Sequence, residues 1–353
     1  MTEIVGLDVG GAHLKLARLA ADGRLAAVRI VPCALWRGLD RLEAALDELA
    51  DDIPDDAQVA ATMTGELVDL WPDRATGVAA IAGALARRFG AGRLALYAGA
   101  EGFLPADHAG ERAEAIASAN WRATAEALAA EGDAGLMVDI GSTTSDLVPF
   151  AQGRVAARGA TDAERMALDE LVYLGVARTP VMAIAPRLPF AGAWVTPMAE
   201  HFATSADVHR LTGDLPEGAD LHPAADGGPK TREASARRLL RMVGADLDAT
   251  TWPQAETLAR YLAEAQLRRL HDAAIGLLSR PDAAARTVVG AGVGRFLAKR
   301  LAGRLGLGYR DIGKAFADDP ALQAPAADCA PAVAVARLFA SGSATSRRPH
   351  EFD

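Results

Sequence analysis

A short stretch near the middle of the chain constrains the fold most. An apolar run reaches Asp139, passes through four small residues and resumes at Leu147. Apolar β-forming residues on both sides of a small polar turn are typical of a β-hairpin. Glycine and small hydroxyl residues let backbone N–H groups and side-chain oxygens converge on phosphate oxygens. The sequence therefore predicts a phosphate-binding tip made of Gly141, Ser142, Thr143 and Thr144.

The N-terminus repeats this plan, with Asp8 followed by Gly10 and Gly11 and then by Lys15 on the returning strand. Such matched spacing indicates an internal duplication. An aspartate at the end of a strand can hold Mg²⁺ against bound phosphates, which makes Asp8 and Asp139 the candidate metal ligands. Two such hairpins facing one another would clamp a polyphosphate, although either copy alone is equally compatible with a plain tight turn.

Composition limits the classes of function. The 353 residues are 50% hydrophobic, enough for two domains with real cores, and the formal net charge is −9. An acidic chain without a basic block argues against a nucleic-acid partner or an anionic membrane surface. Cys33 and Cys329 are isolated, and no apolar run approaches the length of a membrane span. We therefore expect a cytoplasmic protein with small-molecule substrates, and homo-oligomerisation stays open.

The order of elements indicates an α/β fold, because β-hairpins alternate with strand–helix units. The pattern predicts one long alanine-rich helix over 111–131 and another helix running through Leu168 to Gly175. Residues 180–230 have many prolines and glycines, as expected of an irregular insertion that sets substrate selectivity or of surface elaboration. Near the end, a strand leads into a turn with Gly290, Gly292 and Gly294. Such a turn before a helix suits a nucleotide or another anion, and close helix–strand packing is the alternative.

These features together resemble the actin-like ATPase (ASKHA) superfamily of sugar kinases, Hsp70 and actin. A narrower resemblance, to the hydantoinase/oxoprolinase-like proteins of the tetrahydromethanopterin-linked C1 transfer pathway, covers nearly the whole chain. It is carried by six segments: Gly6–Lys15, Thr62–Leu67, Asp139–Asp146, Thr161–Arg165, Leu171–Pro180 and Phe202–Leu211. His13 departs from that branch, where Asn is more usual at this position, and Leu14 and Lys15 stand where true hydantoinases carry Thr and Asp.

The resemblance implies a duplicated actin/hexokinase-like (ribonuclease H-like) α/β fold with two lobes and a ligand cleft between them. The first lobe would span 1–131, and a C-terminal helix at 330–343 would return to it. The second lobe would span 132–329 and carry the insertion near 180–230.

The resemblance also implies methanofuran or methylofuran biosynthesis, in which a transferase joins aminomethyl-furanmethanol diphosphate to the phenol of a γ-glutamyl-tyramine or tyrosine compound. Diphosphate would leave, with Lys15 adding a point charge beside Mg²⁺. Asp162 and Glu164 are the candidate bases for the phenol proton, although a helix N-terminus also explains both acids.

Two other interpretations stay open, and so does the use of ATP. One is an ATP-dependent small-molecule kinase or a hydantoinase/oxoprolinase-type amidohydrolase, in which Gly290–Gly294 holds adenosine. The other is a nucleotide-responsive regulator or an actin-like assembly protein. Formation of ADP, release of diphosphate without ATP, or filaments that depend on ATP would distinguish the three.

Overall fold

The computed structural model describes residues 2–132, 134–283 and 285–342, which divide into two compact units. Unit 1 contains 2–132, 152–155 and 312–342, and unit 2 contains the remaining described residues, up to Asp311. The strands are β1 (Ile4–Val9), β2 (His13–Leu19), β3 (Leu25–Pro32), β4 (Gln58–Met63), β5 (Leu94–Tyr97), β6 (Phe103–Pro105), β7 (Gly135–Ile140), β8 (Ser145–Ala151), β9 (Arg154–Val155), β10 (Leu171–Val172), β11 (Leu188–Phe190), β12 (Ala193–Val195), β13 (Thr287–Ala291) and β14 (Gly308–Asp311).

The α-helices are α1 (Asp40–Glu48), α2 (Arg74–Phe89), α3 (Ala113–Ile116), α4 (Asn120–Ala129), α5 (Asp162–Ala167), α6 (Val181–Ile184), α7 (Ser205–Thr212), α8 (Arg232–Arg241), α9 (Trp252–Leu278), α10 (Arg295–Leu305), α11 (Ile312–Phe316), α12 (Pro320–Asp328) and α13 (Ala330–Ala340). None of the helices in the described part of the chain has the length and apolar character that crossing a membrane requires.

Unit 1 is built on a six-stranded mixed sheet in the order β3-β2-β1-β4-β5-β6. Central strand β1 is antiparallel to β2 and parallel to β4. Alternate residues Val5, Leu7 and Val9 are fully buried in a core shared with α1 and α2. Helix α13 packs on β1 at Gly6, where a β-carbon would stand 2.0 Å from the carbonyl oxygen of Ala332. Because strand side chains alternate between faces, Asp8 lies on the face that Gly6 presents to α13.

Unit 2 is built on the five-stranded path β10-β8-β7-β13-β14, in which β7 is antiparallel to β8 and parallel to β13. The carboxyl-terminal half of α9 and all of α10 pack against β7 in one core. The amino-terminal half of α9 belongs to a second core, with α6, α7 and α8. Helix α9 therefore joins the sheet of unit 2 to the region predicted as an irregular insertion.

The predicted α/β class is confirmed, and two predicted helices are wrong. The helix expected over 111–131 is divided into α3 and α4, because Ser118 has a φ of 51° and cannot continue a right-handed helix. The helix expected from Leu168 to Gly175 does not form, because α5 ends at Ala167 and the φ of 58° at Asp169 cannot continue a right-handed helix. The chain then supplies β10, which pairs with the edge of β8.

The insertion and the carboxyl-terminal region also differ from expectation. Residues 180–230 contain α6, the β11–β12 hairpin and α7, so this segment is more regular than its composition indicates. Residues 312–329, assigned from sequence to the second lobe, belong to unit 1, because α12 packs on β3 and α11 packs on α13. Helix α13, expected over 330–343, ends at Ala340, and residue 343 lies outside the described residues.

Replacing Gly6 with alanine tests the packing of α13 on β1. We expect Gly6→Ala to lower the free energy of unfolding by about 1–3 kcal/mol, because the new methyl group would overlap the Ala332 backbone. Gly83→Ala in α2 is the control, since the nearest atom to its β-carbon is 3.6 Å away, at the end of Arg87. Urea denaturation of both variants measures the difference, and equal stability would contradict this packing.

Candidate functional site

The two hairpin tips are built to one pattern, each within its own unit. Gly10 N donates to His13 O at 2.9 Å, and Gly141 N donates to Thr144 O at the same distance. The strand registers correspond as well, since Asp8 lies opposite Lys15 and Asp139 lies opposite Asp146. The aspartates thus occupy equivalent positions two residues before each turn.

In unit 1, Asp8 is 2% exposed and its Oδ2 lies 3.3 Å from Lys15 Nζ. The other carboxylate oxygen, Oδ1, has no hydrogen-bond partner among the described residues. Thr62, its neighbour across the parallel β1–β4 pair, is fully buried, and its Oγ1 likewise has no partner in the described part of the chain. Buried polar atoms normally require a partner, so these two oxygens fit a bound cation or an ordered water.

A buried carboxylate that the sequence analysis left without a role lies beside this tip. Glu66 is 2% exposed and accepts a hydrogen bond of 2.8 Å from Ser118 Oγ. Thr64, two residues earlier, donates its N–H to Val9 O at 3.0 Å, which anchors the turn containing Glu66 to the end of β1. Ser118 has the left-handed backbone described above, and such strain concentrates at functional sites. The left-handed conformation of Ser118 could not be predicted from the sequence and is seen only in the structure.

In unit 2, backbone bonds from the loop after β10 fix the peptide planes of the tip. Val176 N donates to Gly141 O at 3.1 Å, while Ala177 N and Arg178 N donate to Ser142 O at 3.1 and 2.8 Å. In a trans peptide, the C=O and the next N–H point in opposite directions. The N–H groups of Ser142 and Thr143 therefore point away from this loop, and neither donates to another described residue. We call this pair of N–H groups the anion-binding nest, because successive N–H groups that point the same way are suited to binding an anion.

Gly175 explains how the loop approaches the tip so closely. A β-carbon at Gly175 would lie 2.4 Å from Ser142 O and 2.4 Å from Thr143 N. Only glycine therefore fits against this peptide. Gly175 lies within the family segment Leu171–Pro180, but no local pattern predicts this role, because the contact joins residues that are distant in sequence.

The turn predicted to bind a nucleotide lies against Asp139, because β13 pairs with β7 and places Ala291 opposite this aspartate. Gly292 has a φ of 76°, and a β-carbon there would stand 2.4 Å from Asp139 Oδ1. Gly294 N donates to Ile140 O at 2.8 Å. A β-carbon at Gly290 would lie 2.7 Å from the hydroxyl of Tyr309. These three glycines thus satisfy the packing alternative, and nucleotide binding at this turn stays a prediction.

The two candidate bases differ in their surroundings. Glu164 completes a capping box with Thr161, since its carboxylate accepts the N–H groups of Ala160 and Thr161 at 2.9 and 3.1 Å. These backbone hydrogen bonds lower the pKa of Glu164, which makes its carboxylate a weaker base. Asp162 begins the same helix and is 9% exposed.

Arg165, in the same segment, forms an ion pair with the second hairpin. The side chain of Arg165 is buried and lies 2.9 Å from Asp146 Oδ1, and it also donates to the carbonyl of Glu170 at 3.0 Å. Arg165 thereby neutralises the carboxylate that faces Asp139 across the hairpin. Among residues 2–132, 134–283 and 285–342, no group of three or more His, Cys, Asp or Glu side chains is arranged to hold a metal. A cation here would need further ligands from water or from a bound anion.

Comparison with known proteins supports one family. A family model described as hydantoinase/oxoprolinase matches residues 57–338. The (4-{4-[2-(gamma-L-glutamylamino)ethyl]phenoxymethyl}furan-2-yl)methanamine synthase of Methanocaldococcus jannaschii is 30% identical over 244 residues, which cover 69% of this chain and 72% of that protein. The synthase of the same name from Methanococcus vannielii is 31% identical over 113 residues, covering 32% and 50% of the two chains.

A solved structure supports the fold. The nucleotide-free structure of acetone carboxylase, described as ATP-dependent, aligns with a TM-score of 0.60 at 11% identity, over 95% of this chain and 70% of that chain. At this identity the likeness shows the fold alone, which is the actin-like fold expected from the sequence.

Replacing Gly175 with alanine tests the anion-binding nest. We expect Gly175→Ala to weaken binding of inorganic diphosphate about tenfold or more, because the methyl group displaces the Ser142–Thr143 peptide. Gly303→Ala in α10 is the control, since no atom lies within 4 Å of its β-carbon. Calorimetric titration measures both affinities. Unchanged binding by Gly175→Ala would show that the Ser142 and Thr143 N–H groups do not bind the diphosphate.

Proposed function

Because the chain belongs to the hydantoinase/oxoprolinase family, we propose that it is an enzyme of methanofuran or methylofuran biosynthesis that makes an aryl ether. The product in the relatives' printed name has a phenol oxygen bonded to a methylene group on a furan ring. The corresponding reaction here joins aminomethyl-furanmethanol diphosphate to the phenol of a γ-glutamyl-tyramine or tyrosine compound. The methylene–oxygen bond to diphosphate breaks, the methylene–phenol bond forms, and one proton leaves the phenol.

The single observation that carries this proposal is the pair of N–H groups on Ser142 and Thr143. A furfuryl carbon ionises readily because the ring stabilises positive charge, so the enzyme mainly has to stabilise the leaving diphosphate and position the phenol. Fixed N–H donors suit an anion whose charge increases as the bond breaks. In unit 1, Lys15 supplies an ammonium group held beside Asp8.

Asp8 and Asp139 are the residues that would hold Mg²⁺. The buried Oδ1 of Asp8 and the hard carboxylate donors fit this ion, which usually binds through one or two carboxylates, water and substrate phosphates. When bound, Mg²⁺ would supply additional positive charge to the diphosphate.

Asp162 is the better of the two candidate bases for the phenol proton. It is largely buried, whereas Glu164 is engaged by the backbone of its own helix cap. A second function, an ATP-dependent kinase or amidohydrolase, is favoured by one observation: the glycine turn Gly290–Gly294 lies directly against Asp139.

The deciding experiment follows purified protein with Mg²⁺, the furfuryl diphosphate and a glutamyl-tyramine, with and without ATP. Phosphorus NMR and mass spectrometry should show diphosphate and an ether-linked product without ATP. Formation of ADP with the furfuryl diphosphate intact would instead support the kinase or amidohydrolase.

Asp139→Asn tests the proposed metal role. We expect turnover to fall about a hundredfold or more. The neutral amide of asparagine is a poor Mg²⁺ ligand, and Mg²⁺ would offset the charge of the leaving diphosphate. Asp272→Asn in α9 is the control, since this exposed aspartate pairs with Arg268 of its own helix and lies 3.5 Å from Nδ1 of His271. Unchanged turnover by Asp139→Asn would exclude the metal role.

The base assignment is tested by paired neutral variants. Glu164→Gln should keep near-normal turnover, because glutamine also completes a capping box. Asp162→Asn should lose most turnover at neutral pH, since an amide cannot accept the phenol proton. Initial rates across a pH series measure both, and full activity of Asp162→Asn would assign the base elsewhere.

A further inference from the structure

The loop that orients the second tip is itself held by α7. Ser205 N donates to Thr179 O at 2.8 Å, and Thr179 N donates to Ser205 Oγ at 3.3 Å. Ala206 N donates to Ala177 O at 3.2 Å. The family segment Phe202–Leu211 is therefore attached to the loop whose N–H groups bond to the tip.

A buried side-chain pair, Gln266 on α9 and His209 on α7, reaches the same loop. Gln266 Nε2 donates to Gly175 O at 3.0 Å, and Gln266 Oε1 lies 2.8 Å from His209 Nε2. Because a carbonyl can only accept, the amide of Gln266 must face Gly175 with its nitrogen. Its oxygen then accepts from His209, so the proton of this imidazole is on Nε2.

One nitrogen of the buried imidazole is bonded and the other is not. His209 is fully buried, with its ring edge-on to Phe296 at 5.2 Å between centroids. Burial lowers the pKa of His209, which keeps the ring neutral. Its Nδ1 has no hydrogen-bond partner in the part of the chain that the structure describes, and a buried acceptor without a donor is destabilising. The Nε2–H group, in contrast, satisfies the buried oxygen of Gln266, which an apolar side chain at position 209 would leave without a donor.

We propose that Gln266 and His209 are positioning residues for anion binding by the second tip. His209 orients the Gln266 amide, Gln266 holds the carbonyl of Gly175, and the adjoining loop holds the Gly141 and Ser142 carbonyls so that two N–H groups point toward the anion. The inference rests on the proposed function, in which this tip binds diphosphate.

Three variants separate the donor function from side-chain volume. Gln266→Met keeps the volume but removes both hydrogen bonds, and His209→Phe keeps an aromatic ring but removes the donor. Each should weaken binding of inorganic diphosphate about tenfold. His209→Gln, whose amide can still donate to Gln266, should restore most of the affinity that His209→Phe loses.

Two control variants lie on the same helix. Gln254→Met makes the same substitution about 18 Å nearer the start of α9 and should bind diphosphate normally. Leu262→Ala truncates a fully buried core residue of α9 and should lower the melting temperature without weakening diphosphate binding. If Gln266→Met loses affinity and both Gln254→Met and Leu262→Ala keep it, the loss reflects positioning rather than general destabilisation.

Hydrogen exchange gives a second readout that does not depend on any ligand. The amides of Val176, Ala177 and Arg178 should exchange faster in Gln266→Met than in Leu262→Ala. Normal exchange together with normal diphosphate affinity in Gln266→Met and His209→Phe would overturn the positioning role. Failure of the wild-type protein to bind diphosphate would instead overturn the proposed function, and the exchange comparison would still decide whether Gln266 holds the loop.

Discussion

The paired register of the two hairpins is the constraint on which the rest of the structure depends. Each turn is closed by the same backbone hydrogen bond, from Gly10 to His13 in unit 1 and from Gly141 to Thr144 in unit 2. Because strand side chains alternate between faces, a shift of one residue would move Asp8 or Asp139 to the opposite face of its sheet. The register thus decides which groups lie beside each tip, and the surrounding helices serve to preserve it.

The two tips share this pattern but differ in the groups that they offer to the proposed anion. In unit 1 the residue opposite the aspartate is Lys15, which brings a side-chain cation to the tip. In unit 2 the corresponding residue is Asp146, which forms an ion pair with Arg165. There the groups available to the proposed anion are the backbone N–H groups of Ser142 and Thr143. One tip is therefore sensitive to side-chain substitution at Lys15, whereas the other depends on the orientation of its backbone.

Sequence alone was sufficient for the features that depend on local pattern. Both hairpins, the glycine turn before α10 and the α/β class follow from apolar runs and turn residues that are adjacent in the chain. It failed where one backbone conformation or a distant contact decides the outcome. The break at Ser118 and the strand at Leu171–Val172 are of this kind. The contact from Gln266 to Gly175 spans 91 positions and has no local signature.

If the proposed site consists of backbone N–H groups, residues of the surrounding family segments can act by fixing the backbone of the tip. The direction of the Ser142 and Thr143 N–H groups is set by peptide planes, which substitutions of their own side chains leave in place. What can alter that direction is the support of the loop: the missing β-carbon of Gly175 and the amide of Gln266. The guanidinium of Arg165 acts elsewhere in the same hairpin, on the carboxylate of Asp146. Three family segments of unit 2 contain or contact these residues. Thr161–Arg165 contains Arg165, Leu171–Pro180 contains Gly175, and Phe202–Leu211 contains His209, which contacts Gln266. Gly175 and His209 are thus explained by the geometry that they impose on the tip, whereas Asp162, in the first of these segments, is the candidate base for the phenol proton.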